Sequence, residues 1–354
     1  MAPWSPGSTV VVLGAGASRG AEFVETGRLR CLPPTNADFF TQLQRITTKR
    51  HQQTIDGVLN DVLDLYGPDF ALTLEEYFTQ LEAMLSTVRA SASTRGKFGR
   101  ADLQAMRTRL LDGLSAVLEE SADVAKSNSI ARKTPCSYHA ALVAALRPKE
   151  TIVSFNYDCL IDHALRTNTD GKWSARYGYA FPNPSRVEGY EAWEGTSAPT
   201  GQNKSINLLK LHGSLNWFPF PSDQRKPLRL RARPYKQNGQ KLYEIVPPEY
   251  VKSVGSRPIF PELWSHAELA IRKAKTLAFV GFSFTPTDLH VEALFRLALA
   301  EPKALKSVVI VNPTQEHRKR IRSILAPALQ GGVRVVQFDK FADAAPYLGD
   351  LLGP

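Results

Sequence analysis

Short, almost continuous apolar runs recur along the chain and are rich in β-branched residues. Five stand out, "TVVVLG" (9–14), "TIVSF" (151–155), "NLLKLHG" (207–213), "TLAFVGFSF" (276–284) and "SVVIVN" (307–312), and "VRVVQF" (333–338) is predicted as a sixth. Apolar runs without alternation are typical of parallel strands that are covered on both faces. Helical patterns follow most of them, as in "CLIDHALR", "DLHVEALFRLALA" and "TQEHRKRIRSIL". The pattern predicts an α/β fold with a Rossmann-like, doubly wound and mostly parallel sheet.

The spacing of these runs predicts a large helical insertion. The first run ends at residue 14 and the second begins at residue 151, which is far more chain than one crossover helix requires. Helical periodicity fills most of the interval, as in "LEEYFTQLEAMLSTV" and "LQAMRTRLLDGLSAVLEE", with "SASTRGKFG" (91–99) as an internal turn. We therefore predict one domain over residues 1–354 with a helical insertion at 36–147. These helices either only cover one face of the sheet or also build a lid or an oligomer interface.

A second insertion is predicted at about 167–265. Residues 167–206 contain Gly, Pro, Asn and aromatic residues without periodicity, and a loop of this length is usually functional or disordered. A basic stretch, 225–241, follows and contains no acidic residue. Within it, "LRLRARPY" predicts an exposed edge strand that charge protects from pairing. The stretch is either a solvated edge or a surface that contacts nucleic acid, nucleotide or an acidic partner. The net charge of +10 is compatible with a negatively charged partner.

Composition narrows the class of protein. No apolar run approaches the roughly 18 residues that a membrane span requires, and the first residues lack the basic region and cleavage site of a signal peptide. The three cysteines, Cys31, Cys136 and Cys159, are too few for a four-cysteine zinc site, so we expect no metal. A sparse and odd number of cysteines fits a reducing compartment. We expect a cytoplasmic protein without a membrane partner.

Glycines and polar residues follow the predicted strands, where open α/β sheets bind their ligands. "GAGAS" (14–18) after the first run either lets backbone N–H groups approach a phosphate or is a plain tight turn. It is not a complete GxGxxG, because Arg19 replaces the last glycine, and no well-placed acidic residue follows a second strand. The corresponding residues at or just after the ends of the other runs are Asn156, Asp158, His212, Gly213, Gly281, Ser283 and Asn312.

Each of these residues also has a purely structural interpretation. Asn156 and Asp158 are favoured helix caps, but they could equally bind a ribose. A lone histidine such as His212 is often a satisfied core residue. Asp288 is interpreted as a cap of the following helix, and Asn312 either binds a ribose hydroxyl or starts a turn.

The order of these motifs resembles that of the sirtuin family, and more closely that of the divergent bacterial sirtuin-like proteins of anti-phage defence. The shared features are GAGxS, Asn–x–Asp after a strand, His-Gly, GxS and a strand that ends in Asn. The resemblance covers the sheet, but not residues 36–147 or 167–206. It implies NAD+ as the ligand, with Gly14, Ala15, Gly16 and Ser18 at the diphosphate.

The resemblance also implies roles for the remaining site residues. Asn156 and Asp158 would lie near the nicotinamide ribose, and His212 would be the catalytic base. Gly281 and Ser283 would lie near phosphate or ribose, and Asn312 near the adenosine ribose. Asp158 would either orient His212 or offset developing positive charge.

Departures from the family pattern favour hydrolysis. Deacylating sirtuins carry a four-cysteine zinc module after the His-Gly strand, and this sequence cannot build one. The segment "CLPPTNADFF" also replaces the family's usual cofactor loop, with only Pro34 and Asp38 loosely similar. We therefore expect an NAD+ glycohydrolase that forms nicotinamide and ADP-ribose. The alternatives are a non-enzymatic NAD+ or ADP-ribose-binding assembly subunit and an NAD-dependent protein deacylase.

The defence resemblance implies a regulated effector that depletes NAD+. Control would come from a homo-oligomer, or from a separately encoded partner such as an ATPase or a nucleic-acid-guided protein. The helical insertion and the basic stretch 225–241 are the candidate contact surfaces, the latter for nucleic acid.

Overall fold

The computed structural model describes residues 4–27, 29–87, 98–122, 136–219, 228–232, 243–248, 259–285, 288–300 and 305–353. The strands of these ranges are β1 (Thr9–Leu13), β2 (Thr151–Ser154), β3 (Val187–Glu188), β4 (Asn207–Lys210), β5 (Trp217–Pro219), β6 (Leu228–Leu230), β7 (Thr276–Val280), β8 (Ser307–Val311) and β9 (Arg334–Phe338).

Six of these strands form one sheet in the order β4-β2-β1-β7-β8-β9, and every neighbouring pair is parallel. Counted along the chain, the order is third, second, first, fourth, fifth, sixth, which is the Rossmann order. The central strand β1 is completely buried, as continuous β-branched runs predict. The predicted doubly wound parallel sheet is confirmed, and its topological switch point lies between β1 and β7.

Helices around the sheet form two groups. In the described parts of residues 4–27 and 136–353, the helices are α1 (Ala15–Arg19), α2 (Glu22–Thr26), α7 (Ser137–Ala145), α8 (Leu160–Asn168), α9 (Ala175–Gly178), α10 (Phe260–Lys273), α11 (Leu289–Ala298), α12 (Gln315–Leu325), α13 (Phe341–Ala344) and α14 (Leu348–Leu352). Of these, α7 packs against α8 and α14, whereas α10, α11 and α12 pack in sequence against one another.

A helical module lies between β1 and β2 in the chain. Its helices are α3 (Phe39–Gln44), α4 (Lys49–Tyr66), α5 (Leu74–Thr87) and α6 (Arg100–Ala122). Their apolar faces build a hydrophobic cluster separate from the sheet core, and Leu215, Phe218 and Ile245 belong to this cluster as well. α7 contributes Leu142 and Val143 to the sheet core instead. The helical insertion is thus a feature of the fold, and the boundaries 36–147 stay a prediction.

Local hydrogen bonds fix the start of α5. The Thr73 hydroxyl accepts a bond from the Glu76 N–H at 3.2 Å, and the Glu76 carboxylate accepts one from the Thr73 N–H at 2.7 Å. This reciprocal arrangement is a capping box, which satisfies two N–H groups of the first turn. Asn36 and Glu75 form a second reciprocal pair, with bonds of 3.0 and 2.9 Å. The loop before α3 is therefore anchored to the helical module.

The second insertion contains a small sheet of order β3-β6-β5. The predicted edge strand "LRLRARPY" is wrong in this respect, because β6 lies between two neighbours and pairs with both. Its alternation serves packing: Leu228 and Leu230 are buried, and Arg229 points to solvent. Most of the aromatic residues of 167–206, including Trp173 and Tyr179, are packed into the sheet core.

Several sequence features lie outside the described residues. These include 91–97 of the predicted turn, Thr287 beside the predicted cap Asp288, and all of the basic stretch except residues 228–232. In those five residues, the Arg231 guanidinium lies over the Phe218 ring at 4.7 Å from its centroid. Among the helices of the described ranges, none is both long and apolar enough to cross a membrane.

Candidate functional site

The strands of the large sheet end in register at their carboxyl edge. Leu13 is paired with Ser154 and with Val280, Ser154 with Lys210, and Val280 with Val311. The residues that follow these strand ends therefore emerge along one line of the molecule. All five motifs singled out in the sequence lie on this edge, where doubly wound sheets bind ligands.

The glycine turn after β1 packs against the turn after β7. Gly281 has a positive φ of 57°, and a Cβ there would lie 1.9 Å from the backbone nitrogen of Ala17. The N–H of Gly16 donates to the Gly281 carbonyl at 2.8 Å. These glycines therefore allow two backbone turns to touch across the switch point, and Ala15 is the exposed residue of the first turn.

Asn156 connects the turn after β2 to the glycine turn. Its side-chain Nδ2 donates to the Gly14 carbonyl at 2.9 Å and to the Ser18 hydroxyl at 3.2 Å. Since a backbone carbonyl can only accept, the amide orientation is fixed with Nδ2 toward Gly14. Both amide hydrogens are then used, and Oδ1 remains the acceptor that faces away from these bonds.

Asp158 holds the same serine from the other side. The Ser18 hydroxyl donates to Asp158 Oδ2 at 2.7 Å, and the Leu160 N–H donates to Oδ1 at 3.0 Å. The second bond reaches the first residue of α8, but Asp158 is not the helix cap that its structural interpretation suggested, because Cys159 occupies the N-cap position. Asp158 is buried with 4% of its surface exposed. This geometry favours a role in holding Ser18 and the helix start over a role in orienting His212.

His212 lies in a tight turn after β4 and is packed between aromatic rings. The Gly213 N–H donates to the Lys210 carbonyl at 3.0 Å to close the turn, and Gly213 has φ of 77°. The imidazole meets Phe155 edge-on at 5.0 Å between ring centroids and stacks on Tyr157 at 6.1 Å. It is 6% exposed. The flanking rings belong to the segment that carries Asn156, so His212 and Asn156 share one wall of the site.

Backbone bonds hold the Tyr157 ring and the His212 turn together. The Val246 N–H donates to the His212 carbonyl at 2.9 Å, and the Tyr157 hydroxyl donates to the Val246 carbonyl at 2.8 Å. Val246 lies in the second insertion, beyond β6. The second insertion therefore shapes the site that the sheet presents.

Asn312 and Ser283 lie on the other side of the switch point. Asn312 donates through Nδ2 to the Phe282 carbonyl at 3.0 Å and accepts from the Thr314 N–H at 2.9 Å. It is buried and starts the turn before α12, as its structural interpretation predicted. Ser283 is half-buried beside Phe282, whose ring packs on Phe155 at 5.1 Å. An aromatic wall thus runs from Phe282 to His212.

The segment that replaces the sirtuin cofactor loop is clamped beside the glycine turn. The Arg19 guanidinium pairs with Asp38 at 2.9 Å and donates to the Pro33 carbonyl at 2.9 Å. Burial raises the pKa of Asp38, but bonds from Thr35 and Gln42 and the Arg19 charge outweigh it, so the pKa is below its ordinary value. Asp38 is therefore a stable anion that holds this loop against α1.

Sequence reasoning missed a buried ion pair beneath the site. Lys210 Nζ lies 2.9 Å from Asp162 Oδ2, and both side chains have zero exposure. The Tyr179 hydroxyl donates to the other oxygen of Asp162 at 2.6 Å. The signal was present as one lysine in the apolar run "NLLKLHG". A lysine on a strand that is buried on both faces requires a buried polar or acidic partner, and this requirement indicates the ion pair.

The three cysteines are buried and lie in different places. Cys31 belongs to the helical module, Cys136 contacts His139 at 3.0 Å at the start of α7, and Cys159 lies near Ser214. In the part of the chain that the structure describes, no three His, Cys, Asp or Glu side chains are grouped so that they could hold a metal ion.

A model of the SIR2-like domain matches residues 150–327, which is half of the chain. The chain belongs to the SIR2-like family. Within the matched segment lie Asn156, Asp158, His212 and both turns after β7 and β8. The glycine turn precedes it, and the structure brings that turn against Gly281 and Asn156.

Solved structures similar to this SIR2-like protein include two Sir2 homologues. A Sir2 homologue in complex with NAD has a TM-score of 0.45 and 13% sequence identity, over 97% of this chain and 88% of that chain. A mutant Sir2 homologue in complex with 2′-O-acetyl ADP ribose has a TM-score of 0.42 and 12% identity, over 97% and 90% of the two chains. No curated protein sequence matches the chain.

Proposed function

We propose that this SIR2-like protein is an NAD+ glycohydrolase. The observation that carries the proposal is the shared carboxyl edge, where Asn156 is bonded to the glycine turn and shares an aromatic wall with His212. The oriented Asn156 Oδ1 and the His212 imidazole, beside the switch point, are groups that can orient a water molecule and accept its proton when it attacks the ribose C1′. Family membership adds support, because NAD+ is the ligand that the sirtuin resemblance implies.

The reaction breaks the bond between C1′ of the ribose and the nicotinamide nitrogen. The bonding electron pair goes to that nitrogen, which loses its positive charge, and C1′ acquires oxocarbenium character. A water oxygen then bonds to C1′ and loses a proton. The products are nicotinamide, ADP-ribose and one proton.

His212 and Asn156 have complementary roles in this proposal. The neutral imidazole accepts the proton of the attacking water or of a ribose hydroxyl, as histidine does near neutral pH. Asn156 Oδ1 accepts a hydrogen bond from that water or hydroxyl, because Nδ2 is already bonded to Gly14 and Ser18. The buried Asp158 carboxylate offsets the positive charge that develops at the ribose.

The diphosphate is proposed to bind across the switch point, beside Gly14, Ala15, Gly16 and Ser18. Ala15 is the exposed residue of that turn, whereas the Gly16 N–H is already donated to Gly281. Ser283 would contact a phosphate or ribose beside Gly281. Asn312 would support the adenosine side by fixing the Phe282 carbonyl, since its own amide is bonded there.

Deacylation is the less favoured reaction. The three cysteines cannot form a four-cysteine zinc module, and the chain after His-Gly instead builds β5 and β6 of the small sheet. Without that module, water is the acceptor that we propose for C1′. Release of O-acyl-ADP-ribose from an acyl-lysine peptide would contradict this assignment.

We also propose that the hydrolase is a regulated antiviral effector that depletes NAD+. An unrestrained NAD+ hydrolase would harm its own cell, so control by self-assembly or by a separately encoded partner follows from the activity. Light scattering of the purified protein, combined with NAD+ loss in each size fraction, distinguishes the two. Activity confined to the oligomeric fraction supports self-assembly.

The direct test is NAD+ consumption by the purified protein with products separated by chromatography. We expect nicotinamide and ADP-ribose in equal amounts, and a loss of at least about 10²-fold in rate for His212→Ala and for Asn156→Ala. His266→Ala is the matched control, because His266 stacks on Trp4 at 4.3 Å, outside the candidate site. Circular dichroism of each variant verifies folding.

A second function, binding without turnover, is favoured by the low exposure of the site. His212 is 6% and Asp158 4% exposed, so solvent reaches little of either side chain. Tight calorimetric binding of NAD+ or ADP-ribose by a sample that leaves NAD+ intact would support a sensor or assembly subunit.

A further inference from the structure

The ammonium group of Lys210 is completely buried at the end of β4. It lies 2.6 Å from the backbone carbonyl of Asp158 and 2.9 Å from the carboxylate of Asp162. Tyr179 donates to that carboxylate, and Asn216 Nδ2 lies 3.4 Å from the Tyr179 hydroxyl. The side chains of the four residues Lys210, Asp162, Tyr179 and Asn216 have zero exposure. A chain of polar contacts therefore runs beneath the candidate site, inside an otherwise apolar core.

Fold stability alone is a weak reason for a buried ion pair. Removing two charges from water is costly, and apolar side chains of similar volume can replace such a pair with equal or greater stability. The contacts of Lys210 offer another reason. Its side chain fixes the backbone of Asp158, and its own carbonyl closes the turn that carries His212 through the Gly213 N–H at 3.0 Å.

We propose that Lys210 is a positioning residue that sets the distance between the Asp158 segment and the His212 turn. This inference rests on the proposed hydrolase function. Asp158 in turn holds Ser18 at 2.7 Å, and Ser18 accepts from Asn156. One ammonium group thus links the loop that carries Asn156 and Asp158 to the strand that carries His212. Asp162 keeps this ammonium charged and directed, and Tyr179 holds Asp162.

The test separates positioning from folding by removing both charges at once. In Lys210→Met/Asp162→Asn, the apolar methionine fills the lysine volume, and the new amide still accepts from Tyr179. The double variant therefore buries no unpaired charge, but the Asp158 carbonyl loses its donor. The single variant Lys210→Met leaves the Asp162 carboxylate unpaired, so we expect it to be much less stable than the double variant.

We expect the double variant to keep a thermal midpoint close to that of the unchanged protein and an NAD+ Kd within about threefold. Its kcat for NAD+ hydrolysis should fall at least about tenfold, because reacting groups are displaced while binding contacts remain. The control is Arg109→Met/Asp61→Asn, which removes a bidentate ion pair of the helical module with bonds of 2.7 Å. We expect that control to retain its kcat. A folded Lys210→Met/Asp162→Asn variant with unchanged kcat would overturn the proposal.

A nuclear magnetic resonance measurement tests the positioning role of Lys210 without depending on NAD+ turnover. The ring resonance of His212 is assigned by its loss in His212→Ala and compared at one pH among the unchanged protein, the double variant and the control. Positioning predicts a shift in the double variant only. If the unchanged protein does not hydrolyse NAD+, the hydrolase proposal fails. The positioning role of Lys210 is then tested by the His212 resonance alone, and an unshifted resonance in the double variant would overturn it.

Discussion

Ser18 donates a 2.7 Å hydrogen bond to the buried carboxylate of Asp158. The serine lies in the first turn after β1, and the aspartate lies in the turn after β2. Hydrogen bonds to charged groups are stronger than neutral ones. This bond therefore fixes the geometry of two neighbouring strand ends at the point where the candidate site is built.

A double-mutant cycle on this pair should show strong coupling. Ser18→Ala and Asp158→Ala each remove the same bond, so the double variant should be hardly less stable than the worse single variant. We expect a coupling of about 1.5–3 kcal/mol in the free energy of unfolding, measured with urea. Additive effects of the two substitutions would contradict the bond as described.

Gly281→Ala should strongly destabilise the protein. A Cβ at residue 281 would lie 1.9 Å from Ala17 N, and φ is 57°. The turns after β1 and β7 must then separate, and we expect a loss of about 3 kcal/mol or more in urea unfolding, with weaker NAD+ binding. Gly349→Ala is the control: a Cβ there meets nothing within 4 Å, and it lies in α14. That variant should be neutral or slightly stabilised.

Stability should decrease in mild acid because of His163. Burial is the main cause that lowers its pKa to about 4, and the Arg166 charge adds to it. The unfolded chain therefore binds a proton below about pH 6.5 that the folded protein takes up only near pH 4. The contribution of neutral His163 to the free energy of unfolding is therefore fully present above pH 6.5 and is lost as the pH falls toward 4.

This pH dependence can be checked with His163→Gln, which cannot take up the proton. Thermal midpoints of both proteins are compared from pH 7.5 to pH 4.5. We expect the difference between them to shrink or reverse as pH falls. Parallel curves over the whole range would exclude His163 as the source.

Arg19→Met should weaken NAD+ binding with little effect on stability. Arg19 clamps the loop 31–38 through Asp38 and Pro33. Because the ion pair is partly exposed, it should contribute less than about 1 kcal/mol to folding. Loosening the loop should raise the KM for NAD+ by about 3–10-fold and change kcat less than twofold. The control Arg107→Met breaks a similarly exposed pair with Glu82 in the helical module and should leave KM unchanged.

The sheet was predictable because each buried parallel strand is marked in the sequence by its own continuous apolar run. The apolar runs coincide with β1, β2, β4, β7, β8 and β9, and every one of these strands except β9 ends earlier than its run. The run 276–284 shows why: the positive φ of Gly281 ends β7, and Phe282 and Phe284 pack into the core beyond it. An apolar run shows which residues are buried, but it does not show where the backbone leaves the strand and turns.

The site was only partly predictable. Strand ends brought Asn156, His212 and the glycine turn to one edge, as parallel order requires. The bonds between them depend on register and side-chain geometry, which no local pattern encodes. β6 shows the same limit, because alternation of Leu228, Arg229 and Leu230 indicates a half-buried strand but not whether it has one neighbour or two. The roles of the site residues stay predictions.

The position of β1 in the middle of the sheet also bears on how the protein is made. Thr9 leaves the ribosome long before its partner Thr276 on β7. Until then, one edge of the central strand has no neighbour, and the glycine turn lacks the Gly281 carbonyl against which it packs. For the NAD+-consuming enzyme that we propose, we therefore expect a nascent chain to be inactive until synthesis has passed residue 281, because the glycine turn completes its packing only then.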